Sequence, residues 1–524
     1  MCGIVGYVGH QEATPLLVEG LKRLEYRGYD SAGVAIQTAG GVRVARSVGR
    51  VSVLQELLAK DPGSFHGTLG IAHTRWATHG KVTEENAHPH HAVTRGDHQI
   101  VLVHNGTIEN YAALRTYLEG KGHTFYGQSD TEVLTKLIAE MYEDDLESAV
   151  QSALKEVTGA YAIAVMSDAE PDTLIAARKG GPLIIGLARD AYVVASDQSA
   201  IVAHTTQVIH LDDYQVARMR ARPEDPSNPD GEWETEFHTV TLDNTPVTPK
   251  VRELEMSLEE IELGGYPHFM LKEIMEQPES LRTCMKGRID RRDGRVVLGG
   301  LTALSRELVR ARKFILSAQG TAYHAALLAE YLFEDLTRVP CECEYASEFR
   351  YRNPIIEDGT FLIVVSQSGE TTDTLEALRE ARDRGAQSLG VVNVVGSSIS
   401  RDTDAGVYLR VGPEIGVAST KAFLGQVAVL TMIALFIARR KHLSADMVSK
   451  YLDDLDQVPD LIGRVLKQSE AIKACTERVI DRENWLFLGR GYNFPVALEG
   501  ALKLKEISYI HAEGMPAAEM KHGP

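Results

Sequence analysis

Leu16, Leu17, Leu21 and Leu24 recur at helical spacing within residues 14–26, whereas the apolar segments 159–167 and 192–195 have the length and β-branched content of strands. The first half of the chain is therefore expected to mix helices with strands. A polar, proline- and glycine-rich excursion at 221–231 and a charged stretch at 243–262 place the end of a first domain near residue 245. Beyond them the pattern changes. Phe314-Ile315-Leu316 and Phe361-Leu362-Ile363-Val364-Val365 are short, continuous apolar runs that lead into Gly/Ser turns and then amphipathic helices. That alternation predicts a parallel, doubly wound α/β sheet buried on both faces. The apolar segment 423–438 is shorter than the roughly 20 residues of a bilayer span and contains Gln426. It reads as a buried core helix, and no membrane association is expected.

Gly320, Tyr323 and Glu330 match Gly489, Tyr492 and Glu499 at one constant offset, each set following an apolar run. Two similar strand–turn–helix units are implied. The expected organisation is a domain over residues 2–245, a connector and helical lead-in over 246–295, a first α/β unit over 296–445 and a second over 465–524. The second copy holds little more than its opening strand, turn and helix, so it is expected to be incomplete.

With 524 residues, 44% hydrophobic and 24% charged, the chain supports several cores in two or three domains. Its net charge of −18 argues against a nucleic-acid partner, whose footprint is a basic patch. An anionic substrate would need local donors. Cys2, Cys284, Cys341, Cys343 and Cys475 are scattered without a CxxC pair, so neither a disulfide framework nor a metal site is expected, and a reducing cytoplasm fits. Residues 4–8 are too short and glycine-broken for the core of a signal peptide.

Candidate chemistry begins at the second residue. Loss of Met1 would leave Cys2 with a free α-amine, placing a thiol with a pKa of about 8.5 beside an amine with a pKa of about 8. Nucleophile and base would then share one residue. A nucleophile needs a held electrophile and oxyanion donors, and three stretches offer them. Residues 72–80 concentrate Arg75, Trp76, two threonines and two histidines; His104-Asn105-Gly106 follows an apolar run; and Gln128-Ser129-Asp130-Thr131 opens a helix over 132–142. The plain alternatives are a turn at Asn105-Gly106 and, at Asp130, an N-cap ahead of a helix beginning at Thr131. In the second half, Ser366-Gln367-Ser368-Gly369-Glu370-Thr371 lies between an apolar strand and a helix over 374–384. Hydroxyls and backbone N–H groups at a helix N-terminus suit an anion, although a serine-rich turn has the same composition.

The ordered set Cys2-Gly3-Ile4-Val5-Gly6, Glu25 to Gly33, His73 to Gly80, His104-Asn105-Gly106 and Ser129-Asp130-Thr131 resembles the class II glutamine amidotransferases of the N-terminal-nucleophile fold. The resemblance implies an α+β glutaminase domain of αββα layering in which Cys2 attacks the glutamine side-chain amide with its own α-amine as base. It further implies an oxyanion hole from Asn105 and Gly106, and Arg75 and Asp130 on the glutamine α-carboxylate and α-ammonium. Thr78 and His79 would lie in the same site, Trp76 on a mobile loop that gates ammonia, and Arg27 beside the nucleophile.

Ser347 to Arg350, Ser366 to Thr371, Glu414 to Lys421 and Leu502 to Ile507 resemble the sugar-isomerase (SIS) domains of the glucosamine-6-phosphate synthase family. By that resemblance, fructose 6-phosphate and glutamine become glucosamine 6-phosphate and glutamate, without metal or organic cofactor. Ser366, Gln367, Ser368 and Thr371 would bind the sugar phosphate and Val417 the sugar. Glu506 would move the proton between C1 and C2 with Lys503 assisting, and His522 would open the ring from a neighbouring subunit, which implies a homodimer. Lys503 and Glu506 are also three residues apart, the spacing of an ordinary helical ion pair. The chain departs from the family in two places. It has Ala322 after Gly320-Thr321, so whether Thr321 serves the phosphate is open. The family's C-terminal lysine, which forms the Schiff base, has no counterpart before Pro524, so the chain as written is expected to hydrolyse glutamine but make little glucosamine 6-phosphate. A glutaminase alone, an amidotransferase with another acceptor and a sugar-phosphate sensor are the competing readings. The first domain would suit transfer to phosphoribosyl pyrophosphate, but no pyrophosphate loop is evident, and a sensor would have no use for Cys2.

Overall fold

In the computed structural model, which describes residues 2–25, 28–77, 80–225, 227–228, 231–254 and 259–524, the segment Gly3–Gly9 is a fully buried strand. Its alternating side chains serve two cores: Ile4 and Val8 face a second sheet, while Val5 and Tyr7 face helix Ala13–Leu24. That is the period-two geometry of a strand covered on both sides. The strand lies inside an eight-stranded antiparallel sheet ordered Val251–Glu253, Gln207–His210, Ile184–Ala188, Ala191–Ala195, Gly3–Gly9, Leu69–Arg75, Ser31–Thr38, Gly41–Val48. A seven-stranded antiparallel sheet faces it, ordered Pro246–Val247, Trp233–Thr241, Gln215–Pro223, Thr173–Lys179, Gly159–Ser167, Gln99–Ile108, His90–Val93. Strand Gln99–Ile108 repeats the division, with Val101 and Val103 toward the first sheet and Ile100 and Leu102 toward helices Asp130–Met141 and Leu146–Lys155. Helix, sheet, sheet and helix form four layers. Each large aliphatic side chain enclosed between them contributes about 1.5–3 kcal/mol.

This first unit is Met1–Leu258 and the second is Glu259–Pro524. The first therefore runs beyond residue 245: the charged stretch expected as a connector supplies an edge strand to each sheet, Pro246–Val247 and Val251–Glu253. Charged side chains are tolerated at such edges because one side of the strand remains solvated.

The second unit contains a five-stranded parallel sheet ordered Cys341–Tyr345, Lys313–Ala318, Thr360–Ser366, Gln387–Val392, Ala405–Tyr408. Phe314, Leu316 and Ile363 pack on one face against helices Gly320–Thr337 and Lys421–Lys441; Ile315, Leu362 and Val364 pack on the other against Thr372–Asp383 and Ala346–Tyr351. This doubly wound arrangement buries both faces and explains the unbroken apolar strands. Helix Lys421–Lys441 is long and apolar enough to cross a membrane, but 78% of its most apolar window is buried inside this unit. Strand order reverses between Lys313–Ala318 and Thr360–Ser366, and the carboxyl edge of such a reversal is where open α/β sheets bind ligands.

The repeat is visible as geometry. Strand Asn484–Gly489, helix Asn493–Ser508 and strand His511–Pro516 form a second parallel strand–helix–strand unit. Helices Gly320–Thr337 and Asn493–Ser508 both end in a left-handed cap residue, Arg338 and Tyr509.

Candidate active site

Pairing of Gly3 with Thr74 between adjacent strands sets Cys2 beside Trp76. The Trp76 N–H reaches the Cys2 sulfur at 3.3 Å, and the same sulfur lies 3.6 Å from the Trp76 carbonyl. From the opposite sheet, the Asn105 side-chain amide donates to the Cys2 carbonyl at 3.1 Å. The thiol and a candidate oxyanion donor are thus brought together by two sheets. Gly106 has φ +143°, and a Cβ there would sit 2.1 Å from the Ala160 carbonyl oxygen. Glycine is required by both conformation and space.

Arg75 ends its strand buried, with one guanidinium N–H on the Lys81 carbonyl at 3.3 Å. Burial lowers its pKa, and the nearby Cys2, Asp30 and Asp130 push it back up. Asp130 takes the Ile108 N–H at 2.8 Å and the Thr131 N–H at 2.9 Å, tying the end of the Asn105 strand to a helix N-terminus. That helix begins at Asp130 itself with Ser129 as its cap, rather than at Thr131 with Asp130 as cap. Asp30 accepts the Ala77 N–H at 2.7 Å, and Tyr29 packs edge-on to Trp76 with centroids 5.3 Å apart. Asp30 and Tyr29 therefore shape the segment after Arg75. Thr78, His79 and Arg27 lie outside the described residues.

In the second unit, Ser366 to Thr371 joins the carboxyl end of strand Thr360–Ser366 to helix Thr372–Asp383. Ser366 Oγ accepts the Gly369 N–H at 3.0 Å and lies 3.0 Å from Thr371 Oγ1; Ser368 Oγ accepts the Glu370 N–H at 3.2 Å. The Gln367 carbonyl accepts from Asn393 N–H. Gly369 has φ +67°, and a Cβ would sit 2.1 Å from Ser397 Oγ. The loop is a preformed cradle of hydroxyls at a helix N-terminus.

Thr321 stands with the proton-transfer candidates. Its hydroxyl donates to Glu499 at 2.9 Å and accepts from Lys503 at 2.9 Å, and Lys503 also reaches Glu506 at 2.9 Å. Glu499, which the sequence marks only as a position of the repeat, additionally accepts from His324 at 2.8 Å. Burial opposes the Glu499 charge, yet His324, Lys503 and Thr321 together hold its carboxyl below the usual range. Lys503–Glu506 is thus part of a network and not an isolated surface pair. His522 lies exposed beyond the turn Ala517–Lys521.

Val417 is exposed on a loop clamped from below. Glu273 Oε1 takes the Gly416 N–H at 3.0 Å and the Ile415 N–H at 2.5 Å, and Glu414 takes the Thr420 N–H at 2.8 Å. Burial pushes Glu273 up to about 7 against the pull of those two N–H groups. Between its ordinary 4.5 and about 7 the folded protein holds a proton that the unfolded chain has released, so stability falls as pH rises. We expect a loss of up to about 3 kcal/mol across that window, read by denaturant unfolding of the second unit at pH 5 and pH 8. Glu273→Gln should flatten it; an unchanged slope contradicts the assignment.

Among the described residues, no group of three or more His, Cys, Asp or Glu side chains is arranged to hold a metal ion. Burial drives the Cys341 and Cys343 thiols well above their usual range, marking them as inert.

Residues 73–203 match the glutamine amidotransferase domain family, and residues 307–436 and 479–524 match the SIS domain family. The chain is 51% identical to a glutamine–fructose-6-phosphate aminotransferase (isomerizing) of Chlorobaculum tepidum and 49% identical to one of Bacteroides thetaiotaomicron, in each case over 100% of this chain and 83% of the relative. A relative of the same name from Thermus thermophilus is 45% identical over the same shares. Among solved structures, the C-terminal domain of a glucosamine-fructose-6-phosphate aminotransferase from Francisella tularensis is 42% identical over 50% of this chain and 73% of that one, with a TM-score of 0.48.

Proposed function

This chain belongs to the glutamine–fructose-6-phosphate aminotransferase (isomerizing) family, and we propose on that premise how its residues divide the work. The protein takes ammonia from glutamine and delivers it to fructose 6-phosphate, yielding glutamate and glucosamine 6-phosphate. The observation that carries the glutaminase reading is the Asn105 amide 3.1 Å from the carbonyl of Cys2, the residue whose sulfur takes the Trp76 N–H. Once Met1 is removed, the Cys2 α-amine takes the thiol proton, and the thiolate attacks the glutamine side-chain carbonyl carbon. The Asn105 amide and the Gly106 N–H receive the negative oxygen. Collapse breaks the carbon–nitrogen bond, the proton held by the amine leaves with ammonia, and water then hydrolyses the thioester to glutamate.

Arg75 and Asp130 hold the α-carboxylate and α-ammonium of glutamine, with Thr78 and His79 in the same site and Trp76 as its cover. A guanidinium forks a carboxylate as an ammonium cannot. Arg75→Lys is therefore expected to raise the KM for glutamine about tenfold or more, with kcat reduced far less; steady-state glutaminase kinetics check this.

In the second unit, Ser366, Gln367, Ser368 and Thr371 bind the phosphate, whose charge suits a helix N-terminus. Val417 borders the sugar, and Thr321 belongs to the same sugar-phosphate site, its hydroxyl also accepting from Lys503. Glu506 carries the proton between C1 and C2 with Lys503 beside it, and His522 opens the ring from a partner subunit of a homodimer. The first unit's four layers are those of the N-terminal-nucleophile fold. Ser366→Ala should weaken fructose 6-phosphate binding about tenfold while leaving glutamine hydrolysis unchanged, as read by calorimetry beside a glutaminase assay. Unchanged sugar-phosphate affinity would remove Ser366 from the site.

A further inference from the structure

His73 is enclosed on strand Leu69–Arg75, and its Nε2 lies 3.0 Å from Asn105 Oδ1 and 3.2 Å from the His104 carbonyl oxygen. Both oxygens only accept. The hydrogen therefore resides on Nε2, which donates to both. Burial, reinforced by His104 and Arg75, draws the His73 pKa down to about 3 despite those hydrogen bonds, so the ring is neutral and has one hydrogen to give. Its Nδ1 is buried with no hydrogen-bond partner among the described residues. His88 stacks on the ring at 4.0 Å between centroids and 12° between planes, and His88 Nδ1 itself accepts the His104 N–H at 3.3 Å. The ring is thus braced and its single donor is aimed at Asn105.

A side-chain amide can be seated either way round, and only one way is useful here. Turned over, Asn105 would set its NH2 group against the His73 N–H and its oxygen against the Cys2 carbonyl. We propose that His73 is a positioning residue that fixes the polarity of the Asn105 amide, keeping its N–H end toward the carbonyl oxygen of bound glutamine. This rests on the assignment of Cys2 as nucleophile and Asn105 as oxyanion donor.

The test compares two substitutions of similar size, one with an N–H donor and one without. His73→Met should lower kcat for glutamine hydrolysis about 10- to 100-fold with the KM for glutamine changed less than about threefold, and His73→Gln should recover most of that loss. Placed in an Asn105→Ala background, His73→Met should cost less than about twofold more, because two residues acting through one contact are not additive. Equal activity of the Met and Gln variants, or an undiminished loss in the Asn105→Ala background, overturns the proposal. If the Met variant does not fold, the unaltered protein labelled with 15N-histidine decides: His73 should show a protonated Nε2 and a bare Nδ1 from pH 5 to 9, and the opposite tautomer overturns it. A Cys2→Ala control separates the two levels. Surviving hydrolysis there refutes the underlying site, whereas a dead control with flat His73 variants refutes this inference alone.

Discussion

Cys2→Ala is expected to reduce glutamine hydrolysis at least about 10⁴-fold, the scale on which losing a nucleophile is felt when its partners act as a unit. Cys284, Cys341, Cys343 and Cys475 all belong to the second unit, and burial raises the first three above the thiol range in which a nucleophile forms readily. The fold should not suffer, because the hydrogen bonds of the sulfur to the Trp76 backbone, at 3.3 Å and 3.6 Å, are the weak ones that sulfur makes. Fructose 6-phosphate affinity should be unchanged in the same protein, since the cradle at Ser366 lies in the other unit. Cys2→Ser keeps the geometry but not the acidity: a hydroxyl is far harder to deprotonate than a thiol, so activity below about 1% is expected. Glutamate release and calorimetric titration with the sugar phosphate measure the two halves separately.

Asn105→Ala ranks second. Loss of one oxyanion donor costs about 10²–10³ in kcat, and because the donor acts on charge that develops only in the transition state, the KM for glutamine should hardly move. Asn105→Asp is the sharper variant. It matches the amide in shape and still accepts the His73 N–H at the position now held by Oδ1, 3.0 Å away. Its second oxygen, however, would face the Cys2 carbonyl, where Nδ2 now donates at 3.1 Å, and would repel the oxyanion. A loss at least as large as that of alanine is expected. Near-normal turnover by Asn105→Asp would mean that the oxyanion is held elsewhere.

Much of this site is legible in the chain because its residues fall in short segments whose geometry follows from strand pairing. Cys2, Arg75, Asn105 and Asp130 each sit within three residues of the end of a strand or the start of a helix, where a local pattern is informative. The supporting residues are of another kind. Glu273 clamps a loop 142 and 143 residues away, Glu499 meets His324 across 175, and His73 finds Asn105 across 32. A lone glutamate on an amphipathic helix carries no mark of such a partner; its role exists only once packing has removed it from water. The same cause displaced the domain boundary, since the charge pattern at 243–262 resembles a solvated linker, and edge strands can be equally polar. The doubly wound sheet was readable because burial on both faces leaves a direct signature in strands such as Thr360–Ser366.

The most direct test of the account is intact-mass and peptide mass spectrometry after reaction with a glutamine analogue bearing an electrophilic diazoketone in place of the side-chain amide. The protein should lack Met1, gain a single adduct on Cys2, and be protected by excess glutamine. An adduct on any other residue, or full glutaminase activity in protein that retains Met1, would contradict the assignment of Cys2 and its own amine as nucleophile and base.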